Sequence, residues 1–408
     1  MKTLTDSLPR NALELMALCG LIAPLSPLLG QTWAQTSAPV TRYHWQSIVV
    51  SANGQRVAAA TTTPDYPWRG PIYTSGDSGS AWQSNAIAPR AWLGIAASAD
   101  GTKLLAVGDG TYASTNSGTS WTFLPSPAPF IQAASSADGT RLVAVVSGGS
   151  IYLSSDSGTN WTMASGTSGR GWRSVASSAD GAKLVAVCQA TGSPGGSIYT
   201  STDFGGSWLS NNAPNLLWFF VACSADGNVL VAAPGGFNMG SGPLCVSTNG
   251  GTTWLTSGSP VLAWTSVASS ADGRMLIACA GGGPVFSNAI FTSTDFGATW
   301  LSNNVPAESW SSVACSADGY TLVAAAIYGG IWMSHATPQP RLSVAPGGDN
   351  NLVLSWTIPS ASFILEQSPD LSSWSGVTDT PVLNLSNLHH EATLAPTNSR
   401  GFYRLAMP

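Results

Sequence analysis

The carboxylate groups are the side chains of this sequence that could most readily do chemistry. A glycoside hydrolase needs two of them at a defined separation, one to protonate the leaving group and one to act as base or nucleophile. The chain contains 20 Asp and Glu residues, but before residue 336 most of them fall in two repeated turn motifs. Outside those motifs the repeats themselves offer only Asp65, Asp109 and Glu308. So small a supply favours a non-catalytic protein, with glycoside hydrolysis as the alternative.

The other reactive side chains do not form a recognisable site. The four histidines have neither triad nor zinc spacing, and the adjacent His389 and His390 would point to opposite faces of a strand. There is no CxxC motif, and removal of an N-terminal leader would leave an odd number of cysteines. Buried free thiols are therefore favoured over disulfides or a metal site for Cys188, Cys223, Cys245, Cys279 and Cys315. We expect no catalytic residue, no metal ion and no cofactor.

A repeated pattern must position these side chains. Seven copies run from Trp45 to Ala325, each with a strand of small residues, a Ser-Ala-Asp/Asn-Gly turn and a returning strand such as Leu-Val-Ala-Val. Asp-Gly between two β-forming runs predicts a hairpin, because glycine adopts the positive φ of a tight turn. The returning strands are almost continuously apolar, which indicates burial on both faces. Spacings of 38 to 47 residues are typical of a β-propeller for the turn residues Asn53, Asp100, Asp138, Asp180, Asp226, Asp272 and Asp318.

A second motif, Ser-x-Asp/Asn-x-Gly-x-x-Trp, follows in six of the seven copies. Its serine and acid suit hydrogen bonds to nearby backbone amides, its glycine suits a strained turn, and its tryptophan suits packing between sheets. We therefore interpret its acid or amide as structural at Asp77, Asn116, Asp156, Asp203, Asn249 and Asp295.

In this motif the chain resembles the Asp-box, or BNR-repeat, propellers, a group that includes sialidases, sortilin-type receptor ectodomains, xyloglucan-hydrolysing propellers and photosystem II assembly factors. The resemblance covers about three quarters of the chain and implies that the motif joins the third and fourth strands of each blade. A sialidase would also need an arginine cluster and a tyrosine nucleophile with a glutamate partner, and the assembly factors would imply an arginine-rich patch. The arginines away from the first turns are too few for either: Arg42, Arg69, Arg90, Arg170 and Arg173.

The seventh copy lacks the second motif and with it a fourth strand. Upstream, Gly30-Gln31-Thr32-Trp33 reproduces the end of the motif, at the distance from Trp45 that separates the same tryptophans elsewhere. We expect residues 30–37 to close the last blade and to cover its open edge. The predicted fold is all-β, a seven-bladed β-propeller over residues 30–336.

The face opposite the repeated turns is the predicted ligand surface, because variable loops emerge there. Exposed aromatic side chains beside amides and a few charges suit sugar stacking or protein contact. The candidate ligand-binding residues on these loops are Asp65, Tyr66, Trp68, Arg69, Phe237, Asn238, Glu308 and Tyr328.

The two ends of the chain differ from the repeats. Residues 1–29 resemble a secretory signal peptide, and we expect cleavage before Gly30 and a secreted, extracellular or periplasmic protein. Residues 337–341 read as a linker. Residues 342–408 contain short β-runs typical of a small β-sandwich, and "SFILEQSPDLSSW" and "GFYRL" resemble the immunoglobulin- or fibronectin-III-like modules that end many secreted bacterial proteins.

Composition limits the partners. Charged residues make up 9% of the chain and its net charge is −5, without the basic patch that a nucleic-acid-binding protein shows. We expect a secreted monomer without a membrane span in its mature form, acting as a binding or scaffold module for an extracellular glycan or protein. The alternative is a sialidase-like glycoside hydrolase.

Overall fold

The structure, a computed structural model, describes residues 32–40, 44–85, 87–189, 195–235, 241–281, 289–335, 341–348, 351–358, 363–395 and 401–406. The predicted leader and most of the predicted linker lie outside these residues. All the elements assigned in the described parts of the chain are β-strands, and no helix there is long and apolar enough to cross a membrane.

Seven four-stranded antiparallel sheets form the blades of a propeller, as predicted. Blade one contains β2 (His44–Val50), β3 (Val57–Thr62), β4 (Ile72–Ser75) and β5 (Gln83–Ser84). Blade two contains β6 (Trp92–Ala97), β7 (Leu104–Gly108), β8 (Thr111–Ser114) and β9 (Thr122–Leu124). Blade three contains β10 (Gln132–Ser135), β11 (Leu142–Val145), β12 (Ile151–Ser154) and β13 (Thr162–Met163).

The next three blades repeat this order. Blade four contains β14 (Gly171–Ser177), β15 (Leu184–Gln189), β16 (Gly196–Ser201) and β17 (Leu209–Ser210). Blade five contains β18 (Trp218–Cys223), β19 (Leu230–Pro234), β20 (Cys245–Ser247) and β21 (Leu255–Thr256). Blade six contains β22 (Trp264–Ser269), β23 (Leu276–Ala280), β24 (Ala289–Ser293) and β25 (Leu301–Ser302).

Blade seven combines the two ends of the propeller sequence. Its strands are β26 (Trp310–Cys315), β27 (Thr321–Ala326), β28 (Ile331–His335) and the N-terminal β1 (Trp33–Gln35). Strand β1 pairs antiparallel with β28, with Ala34 opposite Met333. The segment that precedes blade one is thereby bonded into blade seven, which leaves β28 paired on both sides.

A ring of backbone hydrogen bonds closes the propeller at its axis. The N–H of the alanine in each first turn donates to the carbonyl oxygen of the corresponding alanine in the next blade, and the bond from Ala317 returns to Ala52. The N···O distances lie between 2.6 and 2.9 Å for the ring Ala52, Ala99, Ala137, Ala179, Ala225, Ala271 and Ala317. Alanine at this position keeps the seven turns close enough to bond directly.

Burial explains why the repeat is apolar where it is. Every residue of the second strands in blades one, three, five, six and seven is buried, because each blade is covered by a neighbour on both sides. The tryptophans that begin the first strands have no exposed surface: Trp45, Trp92, Trp172, Trp218, Trp264 and Trp310. In blade three Phe130 fills this position and packs against Tyr152 and Trp161.

Basic residues just after the first turns connect neighbouring blades. The Nη1 of Arg56 donates to the Asp100 carbonyl over 2.7 Å, and the Arg141 guanidinium lies 3.8 Å from the centre of the Phe204 ring. Each contact joins one blade to the next. These arginines, which the sequence suggests are only surface turn residues, therefore also contribute to packing between blades.

The C-terminal part of the chain forms two further sheets. One contains β29 (Ser343–Pro346), β30 (Leu352–Thr357), β34 (His389–Leu394) and β33 (Val382–Asn384). The other contains β32 (Ser375–Gly376), β31 (Ile364–Ser368) and β35 (Phe402–Ala406). Leu354, Trp356 and Leu394 pack with Leu365 of the second sheet in one apolar cluster. We call this unit the C-terminal module.

Candidate functional site

Two ends of the propeller can be distinguished by what they carry. In blade one the Ser78 amide of the second turn donates to the Gln55 carbonyl of the first turn over 2.8 Å, and the same bond recurs in other blades. Both repeated turns therefore lie at one end, which we call the turn face. The loops between second and third strands and the connections between blades lie at the other end, which we call the loop face.

The acids of the second turns are hydrogen-bond acceptors for the backbone. In blade four the Ser201 hydroxyl donates to Asp203 Oδ1 over 2.7 Å and accepts from the Gly205 amide, while the same Oδ1 accepts from the Ser207 amide over 2.9 Å. These donors lower the pKa of Asp203 from 3.8 to about 2, the Ser207 bonds contributing most. Hydrogen bonds likewise lower the pKa of Asp77 and Asp156. A general acid needs a raised pKa, so these carboxylates are suited to holding turns.

The first turns use their acids in the same way. The Ser98 hydroxyl donates to Asp100 Oδ1 over 2.5 Å, and the Thr102 amide donates to the same oxygen over 3.0 Å. Burial alone would raise the pKa of Asp100, but these hydrogen bonds and the Arg56 charge outweigh it and lower the pKa. The equivalent serine donates to the turn residue in all seven blades.

The C-terminal module covers the centre of the turn face. Ile358 and Leu388 belong to the same apolar cluster as the alanines of the axial ring, and the Ile358 amide donates to the Leu388 carbonyl over 2.9 Å. The charges of Asp226 and Asp272 also act on His389, whose pKa is nevertheless lowered because its burial outweighs them. A ligand that approaches the axis must therefore use the loop face.

Tyr66 and Trp68 form an exposed aromatic pair on the loop face. Their ring centres are 5.3 Å apart in an edge-to-face arrangement, and the residues are 82% and 54% exposed. Trp68 has a φ of 55°, a conformation that costs a bulky side chain about 1–2 kcal/mol. Its amide donates to the Asp65 carbonyl over 2.8 Å, which holds the turn. An ordered loop thus presents two large rings to solvent.

An ion-pair cluster lies beside this loop. Arg69 Nη2 is 3.2 Å from Asp109 Oδ2, and Arg90 Nη1 is 4.0 Å from the same oxygen. The Arg90 guanidinium also lies 4.9 Å from the centre of the Tyr112 ring. Backbone bonds between Gly70 and Arg90 fasten the loop to the connection between blades one and two. The structure therefore brings the predicted residue Arg69 to Asp109, which belongs to the next blade.

Tyr328 and Glu308 are together at the seventh blade. Tyr328 is 64% exposed, and the centre of its ring lies 4.5 Å from that of His44 in an edge-to-face arrangement. A side chain at the neighbouring Gly329 would approach Glu308 Oε2 to 3.0 Å. The carboxyl groups of Asp109 and Glu308 thus have different neighbours, one in blades one and two and the other in blade seven. Phe237 and Asn238 lie outside the described residues.

The five cysteines within the described residues are free thiols, and each lies on a propeller strand. Burial raises the pKa of Cys223 and of Cys279 to about 12, so neither is poised as a nucleophile. Among the described residues no group of three His, Cys, Asp or Glu side chains could hold a metal ion.

Comparison with known proteins identifies the fold alone. No protein-family description and no curated protein matches the sequence. YCF48 bound to D1 peptide is similar in structure at 15% identity and a TM-score of 0.54, over 76% of this chain and 97% of that chain. The GH74 xyloglucanase from Xanthomonas campestris is similar at 16% identity and a TM-score of 0.59, over 80% of this chain but only 59% of its own length.

A third solved structure extends the range of functions on this fold. Hydrazine synthase from Kuenenia stuttgartiensis is similar at 14% identity and a TM-score of 0.59, over 75% of this chain and 98% of that chain. The three structures include a peptide-bound propeller and two enzymes, which is consistent with one scaffold serving many functions. The site itself must therefore indicate what this chain does.

Proposed function

We propose that this chain is a secreted, non-catalytic propeller that uses its loop face to bind an extracellular glycan or protein. The observation that carries the proposal is the exposed Tyr66–Trp68 pair beside the Arg69–Asp109 ion pair. Rigid aromatic side chains supply large contact area at low entropic cost, and a charged pair next to them supplies orientation. The scaffold beneath them is closed by hydrogen bonds at its axis, so the rings are held at a fixed position.

The finer parts of the proposal rest on the sequence. We infer that the second turns are Asp boxes, that residues 1–29 direct export, and that the C-terminal module is fibronectin-III-like. Support for the first comes from the serine and acid bonds to turn amides, and for the last from two sheets that share one apolar cluster. The intact mass of the exported protein tests the leader, with a mature chain that begins at Gly30 as the expected result.

The alternative, glycoside hydrolysis, has weaker support. The GH74 xyloglucanase shows that the fold can carry this activity, but here Asp109 is engaged by two arginines and Glu308 lies in another blade. Two carboxylates with separate neighbours do not form the acid–base pair that the reaction requires. Release of reducing ends from xyloglucan, abolished by both Asp109→Asn and Glu308→Gln, would favour the enzyme instead.

The binding role can be tested with a glycan array and a pull-down on the mature protein. The double alanine variant of Tyr66 and Trp68 should bind the retained ligand with an affinity lower by about 30-fold or more. This is the effect of losing about 2 kcal/mol at an aromatic hot spot. Leu255→Ala is the matched control, because Leu255 is 70% exposed but lies on the outer strand β21 of blade five. Equal binding by the double variant and the wild type would refute the proposed surface.

A further inference from the structure

The first strands carry one variable position each at the loop face. Six of them have a β-bulge immediately after the buried tryptophan. A tryptophan precedes the bulge in all six and a serine follows it in four, whereas the bulged residue differs in every one of these blades: Gln46, Leu93, Arg173, Phe219, Thr265 and Ser311. Bulges re-aim a side chain and are common next to functional sites. Thr265 and Ser311 are buried and donate to backbone carbonyls, so the bulged side chains that reach solvent are Gln46, Leu93, Arg173 and Phe219.

These positions lie at the loop end of the innermost strands. First strands of neighbouring blades contact one another all the way around the propeller. A serine just after the bulge often accepts a hydrogen bond from the first strand of the next blade. The Ile95 amide donates to Ser47 Oγ over 3.3 Å, and the Val221 amide donates to Ser174 Oγ over 3.4 Å. The alanine ring lies at the other end of the same strands, under the C-terminal module. The bulges therefore surround the end of the axis that lies opposite the C-terminal module.

Arg173 is the one charged residue among the six bulged positions. Its Nε donates to Gln189 Oε1 over 3.0 Å, and its guanidinium lies 5.0 Å from the centre of the Phe219 ring in the next blade. The side chain is half-buried, and burial lowers its pKa. Within the described chain it has no carboxylate partner, and its Nη1 forms no hydrogen bond. A partly desolvated cation held in place without a counter-charge is costly unless a ligand supplies the charge.

We propose that Arg173, oriented by Gln189 and Phe219, binds a carboxylate of an extended peptide at the loop end of the axis. A guanidinium donates two parallel hydrogen bonds to a carboxylate, and a fixed guanidinium loses less entropy when it does so. One face of Phe219 is covered by the guanidinium, so this ring offers less stacking surface for a sugar than an open aromatic would. Charge complementarity calls for a carboxylate, and the covered ring favours a peptide over an acidic glycan as its carrier.

This inference rests on the proposed binding role but uses a different place. Arg173 and Phe219 belong to blades four and five, whereas Tyr66 and Trp68 belong to blade one. Either location can fail without the other, so variants at the two places separate the two claims.

Equilibrium dialysis against randomised acetylated tetrapeptides, followed by mass spectrometry, tests the site. Three pools are compared: free C-termini without Asp or Glu, amidated C-termini with Asp and Glu, and amidated C-termini without acids. The wild-type protein should retain one of the carboxylate-bearing pools at least about 10-fold over the third, the scale of a single charge-assisted pair. Which of the first two pools is retained distinguishes a chain terminus from an acidic side chain.

Substitutions then assign the binding to the arginine. Arg173→Gln should abolish the difference between pools, and Gln189→Leu should reduce it. Arg141→Gln is the matched control, since that arginine also stacks on a phenylalanine but lies at the turn face. Unchanged melting temperatures establish that the variants are folded.

Equal retention of all pools by the wild type overturns the inference, and so does a preference that survives Arg173→Gln. Binding of an oligoguluronate in place of every peptide pool also overturns it, in favour of an acidic glycan. If the double variant of Tyr66 and Trp68 loses the retention but Arg173→Gln keeps it, the proposed function stands and the axial site is rejected.

Discussion

At the scale of single residues, the same kind of side chain that could catalyse is used here to hold turns. A carboxylate that accepts two or three backbone or hydroxyl hydrogen bonds is stabilised in its charged form. Asp203 is the clearest case, with bonds from Ser201 and Ser207 and a pKa lowered to about 2. Asn116 and Asn249 occupy the same position in two blades and accept the equivalent amide bond over 2.9 Å. The role therefore needs an acceptor oxygen and does not need a charge.

A pH prediction follows from the second turns. A depressed folded-state pKa contributes stability above the unfolded value of 3.8, and that stability is lost as the pH falls through the folded value, about 2 for Asp203. The melting temperature of the wild type should therefore drop between pH 4 and pH 2. A variant with asparagine at Asp77, Asp156, Asp203 and Asp295 should show a smaller drop, because asparagine keeps the acceptor and does not titrate. Circular dichroism melts at several pH values measure this, and parallel pH profiles would contradict it.

At the scale of elements, the short strand β1 has a role out of proportion to its length. Trp33 is buried against the sixth and seventh blades, and its indole Nε1 lies 3.4 Å from Asn303 Oδ1. The Thr36 amide continues the pairing by donating to the Ile331 carbonyl over 2.9 Å. Without this strand, β28 would be an open edge of the kind that promotes aggregation. Strand β1 thus matters for the stability of a blade that lies far along the sequence.

A proline in β1 should weaken the pairing that closes blade seven. Ala34→Pro removes an N–H and fixes φ within a paired strand, so we expect a loss of about 2–3 kcal/mol and a greater tendency to aggregate. Ala34→Val is the matched control, because Ala34 is exposed and valine favours a strand. Urea denaturation and light scattering measure the two effects. A stability equal to that of the valine variant would show that β1 contributes little to closure.

At the scale of the whole molecule, the C-terminal module makes the two ends of the propeller unequal. Ile358 and Leu388 extend from the module to the alanine ring, where each apolar side chain that is removed from water stabilises the contact by about 1.5–3 kcal/mol. The alanines of the axial turns leave room for Ile358 and Leu388, because a larger side chain at these positions would fill the space that they occupy. The loop face is left as the end where a ligand can reach the axis.

Charged substitutions should detach the module. With Ile358→Asp and Leu388→Asp combined, we expect an increase of several ångströms in the radius of gyration and faster proteolysis after residue 335, since an aspartate cannot be buried unpaired against alanines. Val382→Asp is the matched control, because Val382 is 70% exposed on the same module. Small-angle X-ray scattering and timed trypsin digestion measure the change. An unaltered radius of gyration would mean that other contacts hold the module in place.

Phe130 and several contacts between blades were not predicted from the sequence, and the two omissions have different causes. Phe130 has a recognisable register with the tryptophans, so closer alignment of the repeats could have found it. The pairing of Arg69 with Asp109, the stacking of Arg141 on Phe204 and the contact between Arg173 and Phe219 join different blades. No local pattern specifies such contacts, because they depend on the angle and distance between neighbouring sheets.

The sequence by itself determined the all-β class, the propeller and the number of its blades. Each blade is encoded locally, by turn glycines, small apolar strands and a recurring tryptophan, and the same local code occurs seven times. Only the tertiary structure decided that the axial alanines bond in a closed ring, that Ile358 and Leu388 pack on them, and that Arg173 meets Gln189 and Phe219. These features arise between segments that are distant along the chain, where side-chain packing rather than local conformational preference determines what meets.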